Sequence, residues 1–290
     1  MRTQQGERTD RRYQKEDMVG MANKSAQESV NTAGRSDFSL KKWYLDAADN
    51  QGNVYIGYWA SLRWRELRLH GYQQLWHTPQ SGVKTQGGLT KRPPPAWQND
   101  DQLSWQLNTA KAIWDSAAHC IHETLLSTDQ GDIQWQCTQP KAKADIQLPL
   151  LFFTGWGYTE CIDVTIPIWK LPFTTLYWGR CHTANHYLVW IKWDGEMSNN
   201  LIWHNGRRST DWVMTNHLIK GSGFQLTIDN PIPLRQGTLI STVFSSYGKL
   251  IKLFPKSTFL ADEHKWYSQG RFDTQTASEP ATVIYEVVFW

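Results

Sequence analysis

From Lys41 to the C-terminus, apolar and polar residues alternate in short runs separated by turn residues, and stretches with a helical period are almost absent. Successive side chains of a strand point to opposite faces, so this pattern commits the chain to antiparallel strands and an all-β fold. KWYLDA and NVYIGYWASLRW flank DNQG, the composition of a hairpin with a glycine-containing loop, and RELRLHGYQQLW runs on as a further long strand. LSWQL, KAIWDSAAHCIHETLLST and DIQWQCTQP each read as a strand, whereas Gln80 to Asn99 (QSGVKTQGGLTKRPPPAWQN) reads as a long surface loop with an extended Pro93–Pro95 piece. After Pro149 the pattern restarts with GYTECIDVTIPIW, LYWGRCHT and HYLVWIKWDG and closes with TVIYEVVFW. Two runs of hairpins, 37–150 and 151–290, predict two packed antiparallel barrels or sandwiches. The polar, aperiodic residues 1–36 have too little apolar surface to order themselves and read as a disordered tail.

With 290 residues, 40% of them hydrophobic, the chain can bury a sizeable core. Its formal charge of +3 is spread among acids without a clustered basic stripe, which excludes nucleic acid as the main ligand. No apolar run approaches the roughly 20 residues of a membrane span, and no signal peptide opens the chain, so a cytoplasmic address is expected. The four cysteines (Cys120, Cys137, Cys161, Cys181) form no C-x-x-C pair and read as buried thiols, with a cross-strand pair as the lesser alternative. No P-loop, G-x-S-x-G elbow or dinucleotide fingerprint appears, and no cofactor or metal is expected. Oligomeric state is not encoded in any feature of the sequence.

Seventeen Trp, 11 Tyr and 10 Phe exceed what a minimal core requires, and such residues either fill a β core or line a pocket for sugars or flat apolar ligands. Trp59 and Trp190 sit inside alternating strands and are candidates for such a wall. The most informative single residue is Glu160. In GWGYTECIDVTIPIWKLP, strand parity sets Tyr158, Glu160, Ile162 and Val164 on one face, so the glutamate falls among apolar neighbours. A carboxyl so placed is either paired or protonated, and a raised pKa is what a general acid needs. Tyr158 is its expected hydroxyl neighbour.

Leu176, Trp178, Arg180 and His182 share one face of LYWGRCHT, and pairing of that strand with Glu160's would bring the guanidinium to the carboxylate. His182 and His186 flank the Thr-Ala-Asn turn as hairpin-end residues and lack the third ligand a metal needs. Glu286 is a second glutamate on an otherwise apolar face, shared with Thr282, Ile284 and Val288, which keeps a glycosidase-like carboxylate pair open.

KWYLDAADNQGNVYIGYWASLRW, DIQWQCTQPKAKADIQL, GWGYTE, LYWGRCHTANHYLVWIKWDG, HKWYSQGRF and VIYEVVFW together resemble the lipocalin-like family of carotenoid 1,2-hydratase and AttH proteins, with tocopherol cyclase and the lipocalin-like pericyclases as more distant relatives. Tyr158 and Glu160 match the first half of a Tyr-x-Glu/Asp-x-x-Trp-Gly pattern that opens the second barrel in those relatives, while Asp163 and Val164 stand where it has Trp and Gly. The resemblance implies tandem lipocalin-like barrels holding a hydrophobic isoprenoid, polyene or polyketide ligand. Joined to the reading of the strand faces, it leads to the expectation of a hydratase, cyclase or isomerase that works by acid catalysis, with Glu160 and Tyr158 expected at the chemistry and Trp178, Arg180, His182, Trp190, Trp59 and Glu286 expected around the ligand. The competing classes are a non-catalytic carrier of the same ligands and a tryptophan-rich carbohydrate-binding protein. Glu160 is expected inside the second barrel, beside Trp178 and Arg180.

Overall fold

The computed structural model describes residues 37–107, 110–238 and 261–290, so the expected tail and the runs TVFSSYG and KLIKLFP lie outside the described residues. Alternation becomes strand almost everywhere else. The first sheet contains β1 (Phe38–Ala48), β2 (Val54–Trp64), β3 (Leu67–Thr78), β4 (Gly82–Leu89), β5 (Ala96–Trp97), β6 (Gln102–Gln106), β7 (Lys111–Ser116), β8 (Ile121–Thr128), β9 (Gly131–Leu148) and β10 (Leu151–Val164). The second contains β11 (Phe173–His182), β12 (Tyr187–Gly195), β13 (Asn199–His204), β14 (Arg207–Ser209), β15 (Trp212–Met214), β16 (Leu218–Gly221), β17 (Phe224–Thr238), β18 (Asp262–Thr274) and β19 (Ser278–Phe289). All pairings are antiparallel, and each sheet curls into a barrel around its own apolar filling. Among the described residues the helical content is a single 3-10 turn, Ile168–Lys170, and no helix is long and apolar enough to cross a membrane.

The two sheets share one topology. The first runs β4-β3-β2-β1-β10-β9-β7-β6-β5, with β8 attached to β9, and the second runs β14-β13-β12-β11-β19-β18-β17-β16-β15. In both, the first strand pairs with the last. Tyr44 of β1 stands opposite Glu160 of β10, four residues before β1 ends, and Trp178 of β11 stands opposite Glu286 of β19, four residues before β11 ends. The two aromatic–glutamate pairs therefore occupy equivalent places.

Four expectations are corrected. The division expected at 150 falls in the β9–β10 hairpin: β10 pairs with β9 and β1, and the chain passes to the second sheet only between residues 165 and 172. Pro149 and Leu150 make a tight turn that has the composition of a linker. Gln80 to Asn99 is not all loop but holds β4 and β5, and the long run after Lys111 is two strands broken at Ala117–Cys120. Cys137, Cys161 and Cys181 are buried as expected, but Cys120 is exposed.

Parity sorts the side chains into three cores. Trp43, Leu45, Trp59, Trp105 and Trp114 fill the first barrel, and Trp190, Ile202, Trp212, Phe224 and Phe272 fill the second. The third core lies between the barrels and draws on both sheets, with Tyr44, Ile56, Trp135 and Tyr158 from the first and Trp178, Val189, Trp203, Tyr267 and Ile284 from the second. Burying each of these aromatic rings contributes about 1.5–3 kcal/mol, which is where the tryptophan excess goes. Gly179 is required locally, because a Cβ there would stand 2.1 Å from the Trp190 ring.

A buried polar seam between the barrels

Two rows of cross-strand neighbours face each other across the third core. On the first sheet, the row is Cys137, Glu160, Tyr44, Tyr58 and Gln73, contributed by β9, β10, β1, β2 and β3. On the second, Ile191, Trp178, Glu286, Lys265 and Arg235 come from β12, β11, β19, β18 and β17. Each row is one residue per strand at a common level, so the sheet register alone brings together groups far apart in sequence.

Glu160 is buried, and its Oε2 accepts two hydrogen bonds, from Trp135 Nε1 at 2.5 Å and Tyr158 Oη at 2.6 Å. Its Oε1 has no hydrogen-bond partner among the described residues. Burial raises the carboxyl above its ordinary value, against the pull of the two donors and of Lys42. Trp135 is held in turn by the Trp203 ring of the second sheet, 4.8 Å away. The expected neighbour Tyr158 is thus confirmed as a contact, but Glu160 belongs to the first sheet and faces the seam, not the interior of the second barrel.

Arg180 does not reach Glu160. It binds Asp46, with Nη2–Oδ1 at 2.7 Å and Nε contacts of 3.0 and 3.2 Å, and neither side chain is exposed. Tyr44 adds its hydroxyl to Asp46 Oδ2 at 2.9 Å. The reason is topological: β10 and β11 are not neighbours, and it is β1 that presents a carboxylate across the seam. Glu286 is ion-paired with Lys265. Burial alone would raise it, but the Lys265 ammonium, with Lys42 and Arg235, holds it below its ordinary value. Lys265 is fully buried, its ammonium 5.0 Å from the Tyr44 ring and 5.2 Å from the Trp178 ring. A third pair, Arg235–Glu263 at 3.1 Å, is tied to the first sheet through Gln73 at 2.5 Å.

Trp178 completes the wall, with ring centroids 4.8 Å from Tyr44 and 5.4 Å from Tyr158. Three other candidates stand elsewhere. His182 is buried beyond Arg180, where Nε2 donates to the Pro140 carbonyl at 2.8 Å, and burial pushes its pKa well down so that it stays neutral. Trp59 lies in the first barrel, its indole bonded to the Arg92 carbonyl and its ring stacked on His70. Trp190 lies in the second barrel against Gly179. Both tryptophans have the opposite parity to the seam residues of their strands, a signal legible in the sequence. Asp46 and Lys265 were missed, although Asp46 follows Tyr44 on the same face of β1 just as Glu160 follows Tyr158 on β10.

Above the Glu160 row, one end of the seam is rimmed by half-buried apolar side chains, including Leu40, Leu62, Trp64, Ile162, Trp169 and Leu176. Lys42 is half-buried beside them and lies 5.2 Å from the Tyr58 ring.

Two equivalent antiparallel barrels joined through such a face define a tandem lipocalin-like fold, and solved structures match it. The chain resembles a crystal structure of an AttH-like protein from Nitrosomonas europaea, with a TM-score of 0.57, 9% identity and coverage of 91% of this chain and 97% of that one. It also resembles CghA in complex with Sch210972, with a TM-score of 0.52, 9% identity and coverage of 87% and 89%. Kievitone hydratase from Nectria haematococca gives a TM-score of 0.50 at 7% identity, covering 88% of this chain and 89% of that one. At these identities the fold is what is shared, and the resemblance read in the sequence holds at that level. No family model matches the chain, and no curated protein matches it in sequence.

Proposed function

We propose that the protein takes an apolar small molecule of isoprenoid, polyene or polyketide type into the seam between its barrels and acts on one of its double bonds, as a hydratase, cyclase or isomerase with Glu160 as the general acid. The observation that carries this reading is the state of Glu160: a desolvated carboxyl, oriented through Oε2 by Trp135 and Tyr158, with Oε1 uncommitted and no cation within hydrogen-bonding reach. Desolvation favours the protonated form of such a group, and that form can give its proton to an alkene carbon from Oε1. The cation so formed is quenched by water or by a second double bond, and the proton released then restores the acid. Tyr44 and Trp178 supply aromatic faces on which positive charge is tolerated. The half-buried apolar rim supports an apolar rather than a sugar ligand, because the strand tryptophans fill cores instead of lining an open groove.

The reading divides the chain between residues 165 and 172 and keeps a cytoplasmic address. A carrier is the competing reading, and three buried ion pairs that brace the seam favour it. Small molecules co-purifying from the native host, identified by mass spectrometry, give the ligand. Glu160→Gln then separates the two readings. It keeps shape and an acceptor for Trp135 and Tyr158 but removes the transferable proton, so turnover should fall by about 10² to 10⁴ with ligand binding retained. Unchanged turnover would refute the acid, and a bound oligosaccharide would refute the ligand class.

A further inference from the structure

The seam that holds Glu160 also holds two donors with nothing to donate to. Among the described residues the Tyr58 hydroxyl and the Trp178 indole N–H are buried and make no hydrogen bond. Burial raises the Tyr58 pKa, so its hydroxyl keeps its proton. Native proteins leave few buried donors unpaired, and each one calls for an explanation. The indoles of Trp43, Trp105 and Trp212 are also unpaired, but they lie inside the barrels.

Tyr58 and Trp178 differ in that they come from opposite sheets and flank the same groups. The Tyr44 ring touches both, at 5.3 Å and 4.8 Å, and the Lys265 ammonium lies 5.8 Å from one ring and 5.2 Å from the other. A pure hydrocarbon in the seam would leave both donors unanswered.

Building on the reading that the seam binds an apolar molecule, we propose that this molecule carries a carbonyl or carboxylate oxygen, held between Tyr58 Oη and Trp178 Nε1 beside Lys265, while its double bond is presented to Glu160. One oxygen with two lone pairs satisfies both donors. The oxygen also fixes the register of the molecule along the seam. A site built around such donors discriminates strongly against an analogue that lacks the acceptor.

The test uses the full chain and two fluorescent polyenes of one shape, diphenylhexatriene and its ring-carboxylated derivative, titrated against the wild type, Tyr58→Phe and Trp178→Phe. The carboxylate should bind at least about tenfold more tightly than the hydrocarbon. Tyr58→Phe should weaken the carboxylate about tenfold and leave the hydrocarbon unchanged, and Trp178→Phe should weaken the carboxylate about tenfold more than it weakens the hydrocarbon. Tyr58→Phe should not lower the unfolding midpoint of the ligand-free protein, because the hydroxyl it removes is unpaired, and this separates loss of a ligand contact from loss of fold. Equal binding of the two probes, or parallel losses for both in the variants, overturns the oxygen site and leaves the seam reading standing. Binding of neither probe overturns the seam reading and the oxygen site with it.

Discussion

Glu160 and Glu286 hold equivalent places in the two barrels and end with opposite proton affinities. Each lies on the last strand of its sheet, opposite an aromatic residue of the first strand, and each faces the seam. The difference lies one strand further out. The cross-strand neighbour of Glu160 on β9 is Cys137, whereas that of Glu286 on β18 is Lys265. A thiol brings no charge, so burial decides and Glu160 is raised; an ammonium brings a full charge, and Glu286 is lowered. A carboxyl at equivalent places of the two sheets is raised in one and made half of an ion pair in the other, with the Lys265 ammonium as the largest charge that separates them.

Lys265→Met should break this contrast with the largest effect. Stripping a buried carboxylate of its partner costs about 3–5 kcal/mol, readable by urea unfolding, and adding Glu286→Gln should recover much of it. Glu160→Gln should cost under about 1 kcal/mol by the same measurement, since no buried charge is orphaned. A comparable loss for both would mean that the two glutamates are alike after all.

Gly179→Ala tests a second difference between the barrels. The position equivalent to Gly179 is Leu45, so the first barrel fills with a side chain of its own strand the space that the second fills with Trp190. The added Cβ would meet the ring at 2.1 Å, and overpacking of this kind costs about 1–3 kcal/mol. No loss in thermal unfolding would mean that the ring moves aside freely.

The smallest effect is a slope. A folded carboxyl with a raised pKa binds its proton more tightly than the unfolded chain does, so Glu160 should withdraw stability as pH rises from 4.5 through its folded value. Relative to wild type, Glu160→Gln should become more favourable across that window. Glu286 is lowered, so the stability it contributes should be lost only below 4.5, as pH falls through its folded value. Unfolding free energies measured from pH 3 upward would expose identical slopes if the contrast is wrong.

Much of this was legible in the sequence. Period-two alternation gave the all-β class, and parity alone set Tyr158, Glu160, Ile162 and Val164 on a common face, as β10 has them. What escaped was long-range pairing. β10 joins β1 more than a hundred residues earlier, and nothing in local periodicity encodes that choice, so the hairpin at Pro149–Leu150 passed for a boundary and Glu160 was assigned to the wrong barrel. The partner of Arg180 was lost for the same reason. Asp46 was within reach, since it is a charged residue beside Tyr44 on a largely apolar strand face, the same signal that singled out Glu160; Lys265 shares its face with Glu263, Gln269 and Arg271, so no such contrast marks it.

The pair Asp46–Arg180 has a consequence for assembly. Asp46 lies two residues after Tyr44, and Arg180 two after Trp178, so these are equivalent positions of the two sheets that touch one another, as Tyr44 and Trp178 also do. Equivalent residues in contact mark the axis of a two-fold relation. If the first barrel paired with a second copy of itself about that axis, Asp46 would be buried against Asp46; the second barrel would set Arg180 against Arg180. Either arrangement sequesters like charges with no counterion. Only the mixed pairing is neutral, so each half of the chain is built to recognise the other and to refuse its own duplicate.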